Sequence, residues 1–346
     1  MNTFKAADNV LREACGKQFT AAVARIEHRG KLVFERAYGV TRNDALARPV
    51  YADTSFDFAS LTKLFVATLL LRLAAEERIA LDEPLTGVIP EWRRGPRAEI
   101  TARMLLAHTS GMNSGADYRA ILDQNVESFA LTSQLIARPG ERVIYSDLGF
   151  IAAGVAIERI TGRSLAATCA QTFPPLRFRP GDAQRLNIPA TEDDGWRGRV
   201  QGFVHDEKAY LMGGIAGHAG LFGTAADVAS LTEAYLGPLN GRASALLPEA
   251  LVREAIAEQA YDPVLRRGLG WALKTSDENS CGRYMERSSF GHTGFVGTCV
   301  WADPVRDLQG VLLTNAVYFG REDDIRDLRA AFYEAMVQET GGERTW

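Results

Sequence analysis

Phe58-Ala59-Ser60-Leu61-Thr62-Lys63 sets a hydroxyl and an amine three residues apart. On a helix that spacing puts both side chains on one face. A serine hydroxyl is a poor nucleophile at neutral pH and needs a base to take its proton. A lysine amine can serve once burial or a neighbouring cation lowers its pKa. With Ser60 at a helix mouth, the free N–H groups and the dipole of the first turn would stabilise negative charge beside it. The pair alone also fits a capping serine followed by a solvated lysine. Leu64-Phe65-Val66 argues against that, because an unused lysine in an apolar helix is costly.

Two later stretches could complete such chemistry. Tyr145-Ser146-Asp147 stands just before an apolar helical run. Tyr145 is a candidate second proton-handling group, since a phenol beside an ammonium gives up its proton more readily. Asp147 reads in part as the helix N-cap. His292-Thr293-Gly294 follows a predicted strand, and Gly294 would let a substrate approach the backbone closely. The N–H groups of Ser60 and Phe295 would then form an oxyanion hole.

The elements that must position these groups fall in a simple order. A helix is predicted over residues 5–18 and a β-hairpin over 19–26 and 31–38, around His28-Arg29-Gly30. A strong helix follows over 60–77. Residues 82–240 change character, with helical segments at 101–106, 126–136 and 148–160 between Pro- and Gly-rich connections. Four glycines between Gly213 and Gly220 allow a tight loop, which is expected to border the cleft. Thr224 and Asp227 have capping-box spacing. Strands are predicted again at 268–274, 283–290, 295–302 and 309–317, with a turn at Asp303-Pro304 and Arg306-Asp307, and a closing helix at 323–337. The expected class is therefore α+β. Residues 1–81 and 241–346 would form an antiparallel sheet flanked by helices, and 82–240 a mostly helical inserted domain.

Composition bounds the partners. The chain has 346 residues and a formal charge of −4, with no electrostatic footprint for nucleic acid. The longest apolar stretch, residues 64–71, is too short to span a membrane. The N-terminus has no basic-then-apolar export pattern, so the expected location is cytoplasmic. Cys15, Cys169, Cys281 and Cys299 are widely spaced and read as reduced, structural thiols. His108, His205 and His218 lack partners at ligand spacing, so neither a metal nor a cofactor is expected. The pairs Arg93-Arg94 and Arg266-Arg267 read as solvated faces. Nothing in the sequence fixes the oligomeric state.

The three motifs, in the order Ser-x-x-Lys, Tyr-x-Asp, His-Thr-Gly, resemble the serine β-lactamase and penicillin-binding-protein superfamily. The likeness is to the branch that holds class C β-lactamases, DD-peptidases and family VIII esterases, and it implies an antiparallel sheet flanked by helices with an inserted all-helical region. The likeness runs over nearly the whole chain and includes Leu105-Leu106-Ala107-His108-Thr109-Ser110-Gly111-Met112 and Gly268-Leu269-Gly270-Trp271. It also takes in the run from Val204-His205-Asp206-Glu207-Lys208 to Gly217-His218-Ala219-Gly220. The resemblance implies that Ser60 attacks a carbonyl carbon and that Lys63 and Tyr145 exchange its proton. Ser60 and Phe295 N–H groups would hold the oxyanion, while His292 and Thr293 line the site, binding a substrate carboxylate or orienting Tyr145. His108 would belong to a structural turn.

Two residues depart from the β-lactamase pattern. Asp147 stands where Asn is usual, and an ionised carboxylate cannot donate an amide hydrogen bond to a substrate carbonyl. Paired with Lys63, it would favour charged lysine and oppose its role as base. His292 stands where Lys is usual, and a neutral imidazole anchors a carboxylate less well than an ammonium. These features point to a serine hydrolase that forms an acyl-enzyme with a small ester or amide. The alternatives are a DD-peptidase or weak β-lactamase, or a catalytically silent homologue that binds a peptide or partner. Intact Ser60, Lys63 and Tyr145 argue against the silent form.

Overall fold

The computed structural model describes residues 4–114, 121–261, 265–322 and 325–341. Its centre is a seven-stranded antiparallel sheet made from both ends of the chain. The strands are β1 (Ala21–His28), β2 (Lys31–Gly39), β8 (Arg266–Arg267), β9 (Ala272–Leu273), β10 (Phe290–Thr293), β11 (Cys299–Asp303) and β12 (Leu308–Thr314), in the order β2-β1-β12-β11-β10-β9-β8. Three short strands, β3 (Phe56–Asp57), β4 (Arg177–Phe178) and β7 (Leu221–Gly223), form a second sheet, and β5 (Glu192–Asp194) pairs with β6 (Gly198–Val200). The N- and C-terminal parts meet where β1 pairs with β12, from Ala22 opposite Thr314 to His28 opposite Leu308.

Strand periodicity sorts the two faces. Ala22, Ala24 and Ile26 of β1 pack with Leu308 and Leu312 against α1 (Lys5–Ala14) and α10 (Arg326–Glu339), through Phe4, Leu11, Phe332 and Met336. Ala21 and Val23 face the other way, into the larger core with Val311 and Leu313. That core holds α2 (Thr62–Ala75), α3 (Ala102–Leu106), α4 (Val126–Thr132), α5 (Asp147–Thr161), α6 (Leu165–Thr172), α8 (Ala225–Leu239) and α9 (Glu249–Ile256). Helix α7 (Glu207–Leu211) lies over a small satellite cluster. Helices α2 and α5 are buried on nearly every side, as expected of helices that are apolar all round.

Several expectations shift. The α+β sheet flanked by helices is present, but the inserted region is not all-helical, because β4 to β7 lie within it. Helix α8 falls before residue 240, yet it packs against β1, β11 and β12 of the sheet. The strand expected at 283–290 begins only at Phe290. Residues 283–289 instead fold around the buried Lys274, whose ammonium donates to the carbonyls of Arg283 (2.9 Å) and Met285 (2.6 Å). The strand expected at 295–302 starts at Cys299, because Gly294 to Thr298 form the hairpin turn. The predicted start of the closing helix, at 323, lies outside the described residues. The capping box at Thr224 and Asp227 is formed.

Candidate active site

The turn that carries Ser60 is held from three sides. Strand β3 pairs with β7, so the chain enters the turn already fixed. The buried Asp57 carboxylate accepts the N–H groups of Ala59 (2.8 Å) and His205 (2.7 Å). Burial pushes the Asp57 carboxyl above its usual range, partly countered by those two bonds. Ala59 is held at φ +46°, a left-handed conformation that costs a residue with a β-carbon about 1–2 kcal/mol. From the sheet side, Thr298 Oγ1 donates to the Phe58 carbonyl at 3.1 Å. A β-carbon on Gly294 would lie 2.1 Å from Thr298 Oγ1 and 2.8 Å from the Phe58 carbonyl oxygen. Gly294 is thus required by the close approach of the chain's own Ser60 turn, where a close approach of substrate was expected.

Ser60 lies in a 3-10 turn (Ala59–Leu61) that feeds α2. Its N–H and that of Phe295 make no hydrogen bond among the described residues, and both residues line one cleft. Lys63, one turn on, is fully buried, and its Nζ lies 2.9 Å from Ser60 Oγ. Nζ also lies 2.9 Å from Asp147 Oδ1 and donates to the His218 carbonyl at 3.2 Å. Burial alone would lower the Lys63 pKa, but Asp147 and Tyr145 outweigh it and raise it, so Lys63 is an ammonium at rest. The pairing with Asp147 therefore favours the charged form, as the departure from Asn implied.

Asp147 opens α5 but does not cap it. Ser146 is the N-cap, accepting from Gly149 N–H at 2.9 Å and donating to the Asn113 carbonyl at 2.6 Å. The Asp147 carboxylate is thereby free to face Lys63. Tyr145 comes with it: its ring centroid lies 4.8 Å from Lys63 Nζ and 4.6 Å from the His108 ring. His108 Nδ1 accepts the Ser146 N–H at 3.0 Å, so its structural turn also holds the tyrosine loop. Arg267, read as part of a solvated pair, is instead buried, with its guanidinium 5.2 Å from the Tyr145 ring centre. It stands on β8, the edge strand of the sheet, where Arg267 pairs with Ala272 of β9.

His292 and Thr293 are brought to the same region but do not act alike. Thr293 and Gly294 line the Ser60 cleft. His292 is buried in β10 and lines an adjoining cleft, with its ring 6.1 Å from that of Tyr145. Burial, then Lys63 and Arg267, lowers its pKa to about 3, so the ring is neutral. With Nδ1 bonded to its neighbour's carbonyl at 2.8 Å, Nδ1 carries the proton. A neutral His292 offers a substrate carboxylate no charge.

Three groups were not singled out as site residues from sequence. Lys208 Nζ sits between Asp147 Oδ2 (3.3 Å) and Asp206 Oδ2 (3.4 Å). Asp206 Oδ1 lies 2.7 Å from His218 Nε2, and the His218 carbonyl returns to Lys63, closing a ring. Burial would raise the Asp206 pKa, but His218 and Lys208 hold it well below the usual range. Asp147, Asp206 and His218 present ligand-type atoms within 4.8 Å of one another. The Lys208 ammonium already bridges both carboxylates there and supplies the positive charge. His205, the other histidine candidate, bonds Glu192 at 3.0 Å and stacks on Phe295. The glycine-rich run does border the cleft. A β-carbon on Gly217 would lie 1.9 Å from the Phe150 carbonyl, so only glycine lets the loop press onto α5 and present His218.

The cleft encloses about 640 Å³ and is lined by Ser60, Tyr145, Asp147, Lys208, Thr293 and Phe295, among others. A half-buried hydroxyl against a buried amine, with a phenol beside them, is the equipment of a covalent serine hydrolase. The chain belongs to the β-lactamase family, whose model matches residues 7–334. It is similar to esterase EstB of Burkholderia gladioli, at 30% identity over 94% of this chain and 93% of that protein. It is also similar to an N-acetylmuramyl-L-alanine amidase of Bacillus subtilis, at 28% identity over 89% of this chain and 80% of that one. Its fold matches a simvastatin synthase (LovD) mutant of Aspergillus terreus with a TM-score of 0.77, at 20% identity, covering 97% and 95% of the two chains.

Proposed function

We propose that the chain hydrolyses a small ester or amide through an acyl-enzyme on Ser60. The observation that carries this reading is the 2.9 Å contact between Ser60 Oγ and the buried Lys63 Nζ, in a cleft that Ser60 and Phe295 both line. In the first step Ser60 Oγ bonds to the carbonyl carbon while its proton passes to the Lys63–Tyr145 pair. Because Lys63 rests as an ammonium, that pair must first lose one proton. It then shares the remaining one as a unit. The two N–H groups receive the charge that builds on the carbonyl oxygen. The pair next protonates the leaving alcohol or amine, and water releases the acyl group by the same steps.

Membership of this family and the esterase and amidase relatives support hydrolysis. Two features weigh against efficient penicillin turnover. Asp147 is an acceptor only, already committed to two lysines. His292 is uncharged and sits off the Ser60 cleft. The test is turnover of a p-nitrophenyl ester and of penicillin by wild type and Ser60→Ala. Ester hydrolysis lost by at least 10³-fold in the variant, with slower or no penicillin turnover, supports the reading. Hydrolysis unaffected by Ser60→Ala contradicts it.

A further inference from the structure

Resting on this hydrolase reading, one difficulty points to a role for a residue outside the three motifs. Lys63 must give up its proton to act as a base, yet doing so would strip the half-buried Asp147 carboxylate of the cation 2.9 Å from its Oδ1. An unpaired carboxylate in a buried site is strongly disfavoured, so Asp147 acting alone would lock Lys63 as an ammonium. The structure supplies a second cation. Lys208 reaches the other oxygen of Asp147 at 3.3 Å, from a different element, α7.

We propose that Lys208 is a positioning residue, a standby counter-ion that keeps Asp147 paired whenever Lys63 hands on its proton. The network around Lys208 suits this role. Asp206, the N-cap of α7, holds the ammonium from its far side at 3.4 Å and is itself fixed by His218 Nε2 at 2.7 Å. The His218 carbonyl accepts from Lys63, so the two lysines are bound into one rigid ring that does not depend on substrate. Lys208 also lines the Ser60 cleft, where a bound acyl group would cover it. Asp147 thus passes from sharing two ammonium ions to holding one, and no carboxylate is left without a cation. Proton balance is kept: the first proton of the Lys63–Tyr145 pair leaves to solvent, the one the pair takes from Ser60 passes to the leaving group, and Lys208 keeps its own.

Other ionisable groups also face this cluster. Arg267 and His292 face it from the sheet, His108 from the end of α3, and Tyr145 from the loop before α5. Glu207, Arg321, Glu322 and Arg329 line the same cleft. All but Tyr145, which shares the proton itself, are present whether or not Lys63 is charged, so removing Lys208 isolates its own effect.

The experiment is the pH dependence of kcat and kcat/KM for a p-nitrophenyl ester in wild type, Lys208→Met, Lys208→Arg, Asp147→Asn and the double variant Asp147→Asn/Lys208→Met. The expected result for Lys208→Met is a rising alkaline limb displaced upward by about one pH unit, with at least tenfold lower kcat at pH 7 and little change in KM. Lys208→Arg restores the limb, because it restores the charge. In the Asp147→Asn background, Lys208→Met moves nothing, because there is no carboxylate left to pair. Superimposable limbs in wild type and Lys208→Met, or an equal shift in the Asp147→Asn background, overturn the proposal. If Lys208→Met does not fold, failure of Lys208→Arg to keep the wild-type limb overturns it instead. Labelling of wild-type Ser60 by a fluorophosphonate is run in parallel. Its absence counts against the hydrolase reading itself, whereas labelling with an unmoved limb counts against the Lys208 role alone.

Discussion

At the scale of single residues, the site is a problem in placing charge. Ser60 and Lys63 were legible in the sequence because their spacing and apolar setting are local properties, and the 2.9 Å contact follows from one turn of helix. Asp147 was legible as a departure, and its pairing with Lys63 is what that departure implied. Lys208, Asp206 and Arg267 were not legible, since each reaches the site from an element remote in sequence and carries no local mark of burial. Asp147 raises the Lys63 pKa, so removing its charge has a defined sign. Asp147→Asn lets Lys63 lose its proton more readily, and the rising limb of kcat/KM against pH moves to lower pH, by about one unit. A limb that stays put, or moves to higher pH, contradicts the assigned pairing.

At the scale of elements, the Ser60 turn is clamped between β7, the Asp57 carboxylate and the β10–β11 hairpin. The hairpin side has no slack, because the Gly294 Cα faces both Thr298 Oγ1 and the Phe58 carbonyl. Gly294→Ala must displace one of them, and the backbone of the Ser60 turn is the part that moves the chemistry. Kinetics with a p-nitrophenyl ester should show a loss of about 100-fold in kcat/KM, and thermal unfolding a destabilisation of about 1–3 kcal/mol. Wild-type kinetics in this variant would mean that the hairpin does not position Ser60. Sequence reading placed the strand ahead of this motif too early. The reason is physical: residues 283–289 look strand-like, but the carbonyls of Arg283 and Met285 turn in to the buried Lys274 ammonium.

At the scale of the whole molecule, the sheet that joins the two chain ends was legible from the order of strand-like and helix-like segments. The short strands β4 to β7 were not, because two or three residues carry no periodicity to read. The site's burial also shapes the response of stability to acid. His108 and His292 are buried, and burial with nearby cations lowers both pKa values, to about 3 for His292. In the unfolded chain they titrate near ~6.5. The unfolded state therefore binds protons that the folded state does not, and stability is full above about pH 6.5 and falls below it. Each such histidine contributes a slope of about 1.4 kcal/mol per pH unit. Urea unfolding of His292→Asn between pH 7.5 and 5 should show a shallower loss than wild type by about that slope. Equal slopes would place a protonated His292 in the folded protein.

The central claim is that Ser60 carries an acyl group. Intact-mass and peptide-level mass spectrometry after brief mixing with a fluorophosphonate, or with a slowly released p-nitrophenyl ester, tests it most directly. One adduct per chain is expected, located on the peptide that contains Ser60, absent in Ser60→Ala, and weak or missing with penicillin. An adduct mapped to another residue, or hydrolysis at the wild-type rate with no adduct on Ser60, would contradict it.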